Sequence, residues 1–355
     1  MEEEIIRSQR ELSELIGCPG REKPVREYLK TRLRDAADEL GEDGAGNLFA
    51  VVRGSDESSA RKVLLTAHMD EVGFMVSHIE ESGFLRVASL GAIDTLLLSG
   101  TPVQFVGTAG KKLYGVFTSI PPHVRKNGEK SAVPALEELS VDIGLSTREE
   151  VELHGLSVGS VGTFLSPFRE LEGGALMGKA FDDRSGCNIA LQTALRWSEG
   201  SPEDKPQNTL ICLFTSAEEH NHLGARSAAL SHEADVVIAL ENTTTTDIPG
   251  VAPHQVVTCL GKGPALTVAD KSYIVPEHLL EFIQQTARTH GIPWQYKKPV
   301  YGSTDAGSLY VLGGGTPAAL VSVPCRYIHA PSGITLASDL RDSAELVYQV
   351  CREYR

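Results

Sequence analysis

Hydrophobic residues along the chain follow two different patterns. Six segments carry apolar side chains at helical spacing: 3–16, 23–36, 185–197, 223–230, 277–290 and 339–353. Four other segments are short, uninterrupted aliphatic runs: 63–67, 209–214, 236–240 and 318–323. Continuous apolar runs are typical of strands that are covered on both faces. The alternation of such strands with helices predicts an α/β fold with a mostly parallel central sheet flanked by helices.

The segment 73–165 differs from the rest of the chain. Gly, Thr and Val are frequent there, helical periodicity is weak, and glycines that favour turns recur. These features predict a small β-rich domain inserted into the α/β unit, which then consists of residues 1–72 and 166–355. Within the insert, the polar segment 121–134 is predicted to be a loop.

The charge balance excludes two classes of partner. The chain has 47 acidic and 33 basic residues, giving a net charge of −14. Nucleic acids and anionic membranes are bound by clustered Lys and Arg, so we expect neither as a partner.

Other features of the chain predict a cytoplasmic location. The start of the sequence lacks the basic and apolar regions of a signal peptide, and no apolar stretch reaches the roughly 20 residues of a membrane span. The six cysteines form no Cys-x-x-Cys pair, which argues against a Cys-rich zinc site and suits free thiols in a reducing compartment.

Side chains able to bind metals stand close to the predicted core strands. In chain order they are His68, Asp70, Asp182, Glu218, Glu219, Glu241 and His329. Taken singly, each has an ordinary explanation, such as a hydrogen-bonded histidine or a carboxylate that caps a helix. However, the carboxyl ends of the strands in an open α/β sheet form one ligand-binding crevice. Carboxylates gathered there would repel one another, and bound divalent cations are the simplest way to offset this repulsion.

Histidine and carboxylate ligands without cysteine suit zinc, cobalt or manganese. Hydrolysis with a pair of metals needs one bridging carboxylate, further ligands for each metal, and one free carboxylate that accepts a proton from water. The residues named above supply such a set, so the sequence predicts two divalent metal ions per subunit.

The motifs around these residues resemble the M42 family of metallo-aminopeptidases. In chain order the motifs are Ala67-His-Met-Asp-Glu-Val-Gly-Phe74, Gly178-Lys-Ala-Phe-Asp-Asp-Arg-Ser-Gly186, Glu218-Glu219, Asp247-Ile-Pro-Gly250, Gly261-Lys-Gly-Pro264, Thr304-Asp-Ala-Gly307 and Arg326-Tyr-Ile-His329. Together they cover nearly the whole chain. The resemblance implies an aminopeptidase that removes N-terminal residues from short peptides.

The resemblance also implies a role for each site residue. Asp182 would bridge the metals, His68 and Glu241 would complete one site, Glu219 and His329 would complete the other, Glu218 would be the general base, and Asp70 would orient the imidazole of His68. The inserted β-rich domain would form a dimer contact. Members of the family build homo-oligomers from dimers up to dodecamers.

Two positions depart from the family pattern. Glu241 stands where the family usually has Asp, and His220-Asn-His222 follows the Glu pair where the family usually has Val-Gly. We interpret the two histidines either as the polar start of a helix or as contacts to substrate or metal. Two alternative functions stay open: a dinuclear amidohydrolase that deacylates N-acyl amino acids, and a catalytically impaired homologue with a non-enzymatic role.

Overall fold

The computed structural model describes residues 2–55, 61–120, 124, 133–199, 205–298 and 301–355, so most of the predicted loop at 121–134 lies outside the described residues. The helices are α1 Glu2–Glu14, α2 Lys23–Leu33, α3 Arg148–Leu153, α4 Phe181–Ser198, α5 Leu223–Ala228, α6 Glu277–Thr289, α7 Asp305–Leu309 and α8 Ala337–Glu353. The strands are β1 Glu39–Glu42, β2 Leu48–Val52, β3 Lys62–His68, β4 Gly73–Ile79, β5 Leu85–Leu90, β6 Pro102–Val106, β7 Lys112–Phe117, β8 Val141–Asp142, β9 Val161–Phe164, β10 Arg169–Glu170, β11 Ala175–Gly178, β12 Thr209–Thr215, β13 Val236–Thr244, β14 Ala265–Thr267, β15 Gln295–Lys297, β16 Ala318–Cys325 and β17 Gly333–Leu336. The predicted helices and core strands are all present, with ends shifted by up to four residues.

The central sheet is mixed rather than mostly parallel throughout. Its strand order is β1-β2-β12-β3-β13-β16-β14-β15. The four central strands β12, β3, β13 and β16 pair in parallel, as predicted. The pairs β1–β2, β2–β12 and β14–β16 are antiparallel, which corrects the prediction at the edges. A short turn joins β1 to β2, and so short a connection permits only antiparallel pairing.

The core strands are covered on both faces, as their uninterrupted apolar sequences predict. Every residue from Val63 to His68 is buried, although alternate side chains of a strand point to opposite faces. Helix α4 packs against β3 and β13, and α8 packs against β16. Burial of each Val, Leu or Ile side chain contributes about 1.5–3 kcal/mol, so these short runs hold the sheet firmly and fix where its strands end.

A closed β-barrel forms from strands β4-β5-β8-β7-β6-β9, which lie between Gly73 and Phe164. It has its own hydrophobic core, in which the ring of Phe74 lies 4.8 Å from that of Phe117 and 5.4 Å from that of Phe164, in edge-to-face contacts. This separate core supports the proposed division into an inserted domain at 73–165 and a discontinuous α/β unit.

Among the described residues, no helix combines the length and the apolar character that a bilayer crossing requires. The six cysteines are free thiols, of which five are buried and Cys259 is partly exposed. The cytoplasmic location stays a prediction.

Candidate metal centre

The predicted ligands converge at one edge of the central sheet. His68 is the last residue of β3, the Glu218–Glu219 pair follows β12, and His329 follows β16. Glu241 was predicted to follow its strand but lies inside β13, because the pairing of β13 with β16 continues to Thr244. The pairing of β13 with β3 ends earlier, at Ala239. On the side of β13 that faces β3, the backbone next to Glu241 is therefore not paired with β3.

The start of α4 presents Asp182 to this edge. Asp182 and Asp183 have non-helical backbone angles, whereas the residues that follow are helical. Asp183 takes the capping role, since its Oδ1 accepts a hydrogen bond from the Gly186 amide at 2.9 Å. A Cβ at Gly186 would lie 2.2 Å from the Asp183 carboxylate, so this close approach requires glycine. The carboxylate of Asp182 is thus left free to face the two histidines.

The carboxylate of Asp182 lies between two imidazoles. Its Oδ1 is 3.3 Å from Nε2 of His68, and its Oδ2 is 3.3 Å from Nε2 of His329. Glu241 Oε2 is 3.7 Å from Nε2 of His68, and Glu219 Oε1 is 2.8 Å from Nε2 of His329. The structure therefore brings all five predicted ligands together, in two groups that share Asp182.

Backbone carbonyls orient both imidazoles. Nδ1 of His68 lies 3.1 Å from the carbonyl oxygen of Asp70, and Nδ1 of His329 lies 2.9 Å from the carbonyl oxygen of Ala92. Because a carbonyl oxygen only accepts, Nδ1 donates in each ring, and Nε2 faces the carboxylates. Ala92 lies in the turn after β5 and contributes only a backbone carbonyl, so no motif pointed to it.

The carboxylate of Asp70 holds the Glu pair. It is fully buried, and its two oxygens accept the backbone amides of Glu218 and Glu219, each at 3.0 Å. Its Oδ1 is also 3.5 Å from Nδ1 of His68. One side chain therefore joins the end of β3 to the turn that carries the Glu pair.

We expect Asp70→Asn to weaken metal affinity and activity by about 10- to 100-fold, as for other partners of metal ligands. The amide group of Asn accepts through only one atom, so one of the two backbone amides loses its partner, at about 1–3 kcal/mol. Metal titration, kcat/KM and thermal melting measure these effects. Asp142→Asn is the control, because Asp142 also accepts a backbone amide, that of Gly144, but lies in the barrel. Equal effects of the two substitutions would contradict the role of Asp70.

A buried ion cluster supports the segment after His68. Lys179 Nζ lies 2.8 Å from both carboxylate oxygens of Glu71. Arg184, which is fully buried, donates to the carbonyl oxygens of Met69 at 2.8 Å and Leu12 at 2.6 Å. Glu71, Lys179 and Arg184 stand in the motifs that resemble the family, but their supporting role depends on burial of their charges, which the sequence does not reveal.

Burial and neighbouring charges shift the pKa values of the site residues. Burial raises the pKa of Glu218 to about 7, although His68 and His222 act against this shift. Burial, and then the charge of Glu218, raise the pKa of Glu241 well above its usual range. Burial alone would lower the pKa of His329, but Asp182 and Glu219 raise it to about 11. Negative charge is thus in excess at this edge, and added positive charge would stabilise it.

The donor atoms fit divalent cations. Among the described residues, the buried atoms Asp182 Oδ1 and Glu219 Oε1 receive no hydrogen bond. His68, Asp182 and Glu219 each offer a donor atom within 4.8 Å of the others. Buried carboxylate oxygens without hydrogen-bond donors, beside imidazole Nε2 atoms, are the arrangement expected of metal ligands. Nitrogen and oxygen donors without sulfur suit zinc, cobalt or manganese.

The centre opens into a cleft of about 410 Å³, a size typical of small-molecule and peptide sites. Besides the candidate ligands, its walls include Asn221, His222, Asn242, Thr243, Thr244, Val257, Lys297, Tyr301, Ser303 and Ile328. The cleft therefore connects the candidate ligands with solvent.

The sequence profile described as M42 glutamyl aminopeptidase matches residues 46–346. The chain belongs to the M42 peptidase family. The matched segment contains all the candidate ligands, Glu218 and Asp70. M42 membership makes the chain an enzyme of the aminopeptidase class, which hydrolyses peptide bonds.

Relatives of this M42 chain cover nearly its full length. The glutamyl aminopeptidase of Lactococcus lactis is 30% identical over 336 residues, covering 92% of this chain and 90% of the relative. An aminopeptidase from the archaeon Desulfurococcus kamchatkensis has a solved structure that superposes with a TM-score of 0.92 at 32% identity, covering 99% of this chain and 95% of that one. The TET1 peptidase of Pyrococcus horikoshii, described as assembling into a tetrahedron or a large octahedral shell, superposes with a TM-score of 0.86 at 26% identity, covering 98% and 99%.

Proposed function

We propose that this M42 chain is a two-metal aminopeptidase that removes N-terminal residues from short peptides. The observation that carries the proposal is the position of Asp182, whose two oxygens each lie 3.3 Å from a different imidazole. A carboxylate placed in this way can bridge two cations. His68 and Glu241 would complete one site, and Glu219 and His329 the other. Zinc or cobalt is the expected metal, and manganese is also compatible with the ligands.

The metal ions, when bound, supply positive charge that lowers the pKa of water towards neutrality and polarises the scissile carbonyl. Side chains of the protein would then transfer the proton. Glu218 is nine-tenths buried, follows β12 beside the candidate ligands, and is held through its backbone amide by Asp70. Its Oε2 lies 3.9 Å from Nε2 of His68, so it faces the centre. Glu218 would accept a proton from water and pass it to the leaving amine.

The carboxylates at this edge of the sheet also bear on why cleavage would occur at the amino end of a peptide. The carboxylates of Asp182, Glu218, Glu219 and Glu241 line the cleft. Asp182, Glu219 and Glu241 would be engaged by the metals, so Glu218 is the carboxylate left to attract a free ammonium group, a charge that a blocked end lacks. The open cleft admits short extended chains, so free peptides rather than N-acyl amino acids are the expected substrates.

Removal of metal is expected to abolish hydrolysis of aminoacyl anilides, and addition of zinc, cobalt or manganese is expected to restore it. Elemental analysis of the restored enzyme should give two ions per subunit. The matched control substrate is the same anilide with an acetylated amino end, which should be cleaved poorly. Cleavage of the acetylated substrate alone would favour the deacylase. A protein that binds two ions yet cleaves neither substrate would favour the non-enzymatic role.

We also propose that the chain forms homo-oligomers through its barrel. Apolar side chains are exposed on the barrel, including Leu96, Tyr114, Val116, Leu153 and Val158. Tyr114 and Val116 stand two residues apart on the exposed face of β7, and neighbouring exposed apolar side chains can mark an interface. The assembly described for the Pyrococcus horikoshii relative agrees with this proposal. The size of the assembly, from dimer to dodecamer, can be measured by light scattering.

A further inference from the structure

His222 occupies an unusual position beside the candidate general base. It belongs to the segment His220-Asn-His222, where the sequence departs from the family pattern. Asn221 and His222 both have left-handed backbone angles, with φ of 65° and 53°. Few residues other than glycine adopt this conformation, although Asn and His do so more readily than most. The turn directs the imidazole of His222 back towards Glu218 rather than away into solvent.

The imidazole of His222 contacts one oxygen of Glu218 and leaves the other free. Nδ1 of His222 lies 2.9 Å from Glu218 Oε1. The other oxygen, Oε2, is the one that lies 3.9 Å from Nε2 of His68. A general base needs one oxygen aimed at the reacting water, and a partner on the other oxygen limits rotation of the carboxylate.

His222 is itself held on its far side by the loop 303–305. Its Nε2 lies 3.0 Å from the hydroxyl oxygen of Ser303, and its Nδ1 lies 3.4 Å from Asp305 Oδ1. Asp305 is 2% exposed, and its Oδ2 accepts a hydrogen bond from the Thr215 hydroxyl at 2.5 Å. Thr215 is the last residue of β12, the strand that precedes the Glu pair. The contacts thus form a closed loop from β12 through Asp305 and His222 back to Glu218.

We infer that His222, secured by Asp305 and Ser303, is a positioning residue that fixes the carboxylate of Glu218 for proton transfer. This inference rests on the proposed function, since it assigns His222 a role in that same reaction. In this role His222 acts through Glu218 rather than directly on the reacting atoms. The carboxylates of Glu218 and Asp305 converge on the same nitrogen of this imidazole, at 2.9 and 3.4 Å.

Replacement of His222 by Ala tests this role. We expect kcat to fall about 10- to 100-fold, as for other residues that orient a catalytic group. KM should change less than about twofold, because His222 is not expected to contribute to binding of the substrate in its ground state. The metal content should stay at two ions per subunit. His222→Asn should recover most of kcat, since its amide nitrogen can replace Nδ1 and Asn tolerates the left-handed backbone.

Two controls separate positioning from other roles. His220→Ala alters an exposed histidine two residues away that does not line the cleft, and it should leave kcat unchanged. In a Glu218→Gln background, His222→Ala should cause no further fall in kcat, because the group that it positions is already disabled. A further, multiplicative fall would overturn the inference.

The remaining outcomes are also decisive. Loss of an ion in His222→Ala would make His222 a metal ligand, and a rise in KM at constant kcat would make it a substrate contact; either result overturns the inference. An unchanged kcat in active enzyme overturns it as well, while leaving the proposed function intact. Lack of turnover by the metal-loaded wild-type chain would instead contradict the proposed function, and with it the role of His222 in that reaction.

Discussion

Replacing Glu218 with Gln is expected to lower kcat by about 10²- to 10⁴-fold while two metal ions per subunit are retained. Gln has the same shape as Glu, and its backbone amide can still donate to Asp70. Its side-chain amide cannot accept a proton from water, so only the proton transfer is lost. Steady-state kinetics with an aminoacyl anilide, together with elemental analysis, measure the two quantities separately.

Glu149→Gln provides the matched control for this prediction. Glu149 is an exposed glutamate in α3 of the barrel, far along the chain from the Glu pair. The same change of chemistry there should leave kcat and metal content as in the wild type. Full activity of Glu218→Gln would show that another group takes the proton. Loss of a metal ion in that variant would show that Glu218 is a ligand.

Replacing Asp182 with Ala is expected to have the second large effect, on both metal content and activity. Each oxygen of Asp182 faces one imidazole, so both proposed sites lose a ligand at once. We expect fewer than two bound ions per subunit and a fall in kcat/KM of about 10³-fold or more, because metal catalysis contributes several kcal/mol. Calorimetric titration with zinc or cobalt and anilide kinetics check these outcomes.

Asp235→Asn is the control for the bridging role. Asp235 lies just before β13, at the opposite end of the sheet, where it accepts the backbone amide of Lys62 at 2.7 Å. Its replacement should leave metal content unchanged. Two tightly bound ions in Asp182→Ala would contradict a shared ligand, and one ion that is still bound with wild-type affinity would assign Asp182 to a single site.

The sequence predicted the centre of the fold better than its edges. Runs such as Val63–Ala67 are long and wholly apolar, so burial on both faces leaves them few alternatives to a central strand. β14 has only three residues, and its antiparallel pairing with β16 depends on how the chain returns to the sheet. The direction of such pairing depends on the path of the chain between the two strands, and the hydrophobic pattern within a strand holds no information on that path.

The predicted ligands came together because the apolar runs identify the central parallel strands, and the carboxyl ends of parallel strands lie at one edge of the sheet. Other parts of the site had no comparable signal. The two amides accepted by Asp70 and the carbonyl of Ala92 are backbone groups, which every residue carries. The contact of His222 with Glu218 depends on two left-handed residues, and the residue types alone permitted a plain polar turn.

The bond between the Ala92 carbonyl and His329 ties the insert to the chemistry of the other unit. The turn after β5 belongs to the barrel, whereas His329 follows β16 of the sheet, and their atoms are 2.9 Å apart. Displacing the barrel by about 1 Å along this direction would exceed hydrogen-bond range and free the ring to rotate. The insert therefore cannot be exchanged freely between relatives. An exchange preserves the orientation of the His329 ring only if the turn after β5 keeps its carbonyl oxygen within hydrogen-bond distance of Nδ1.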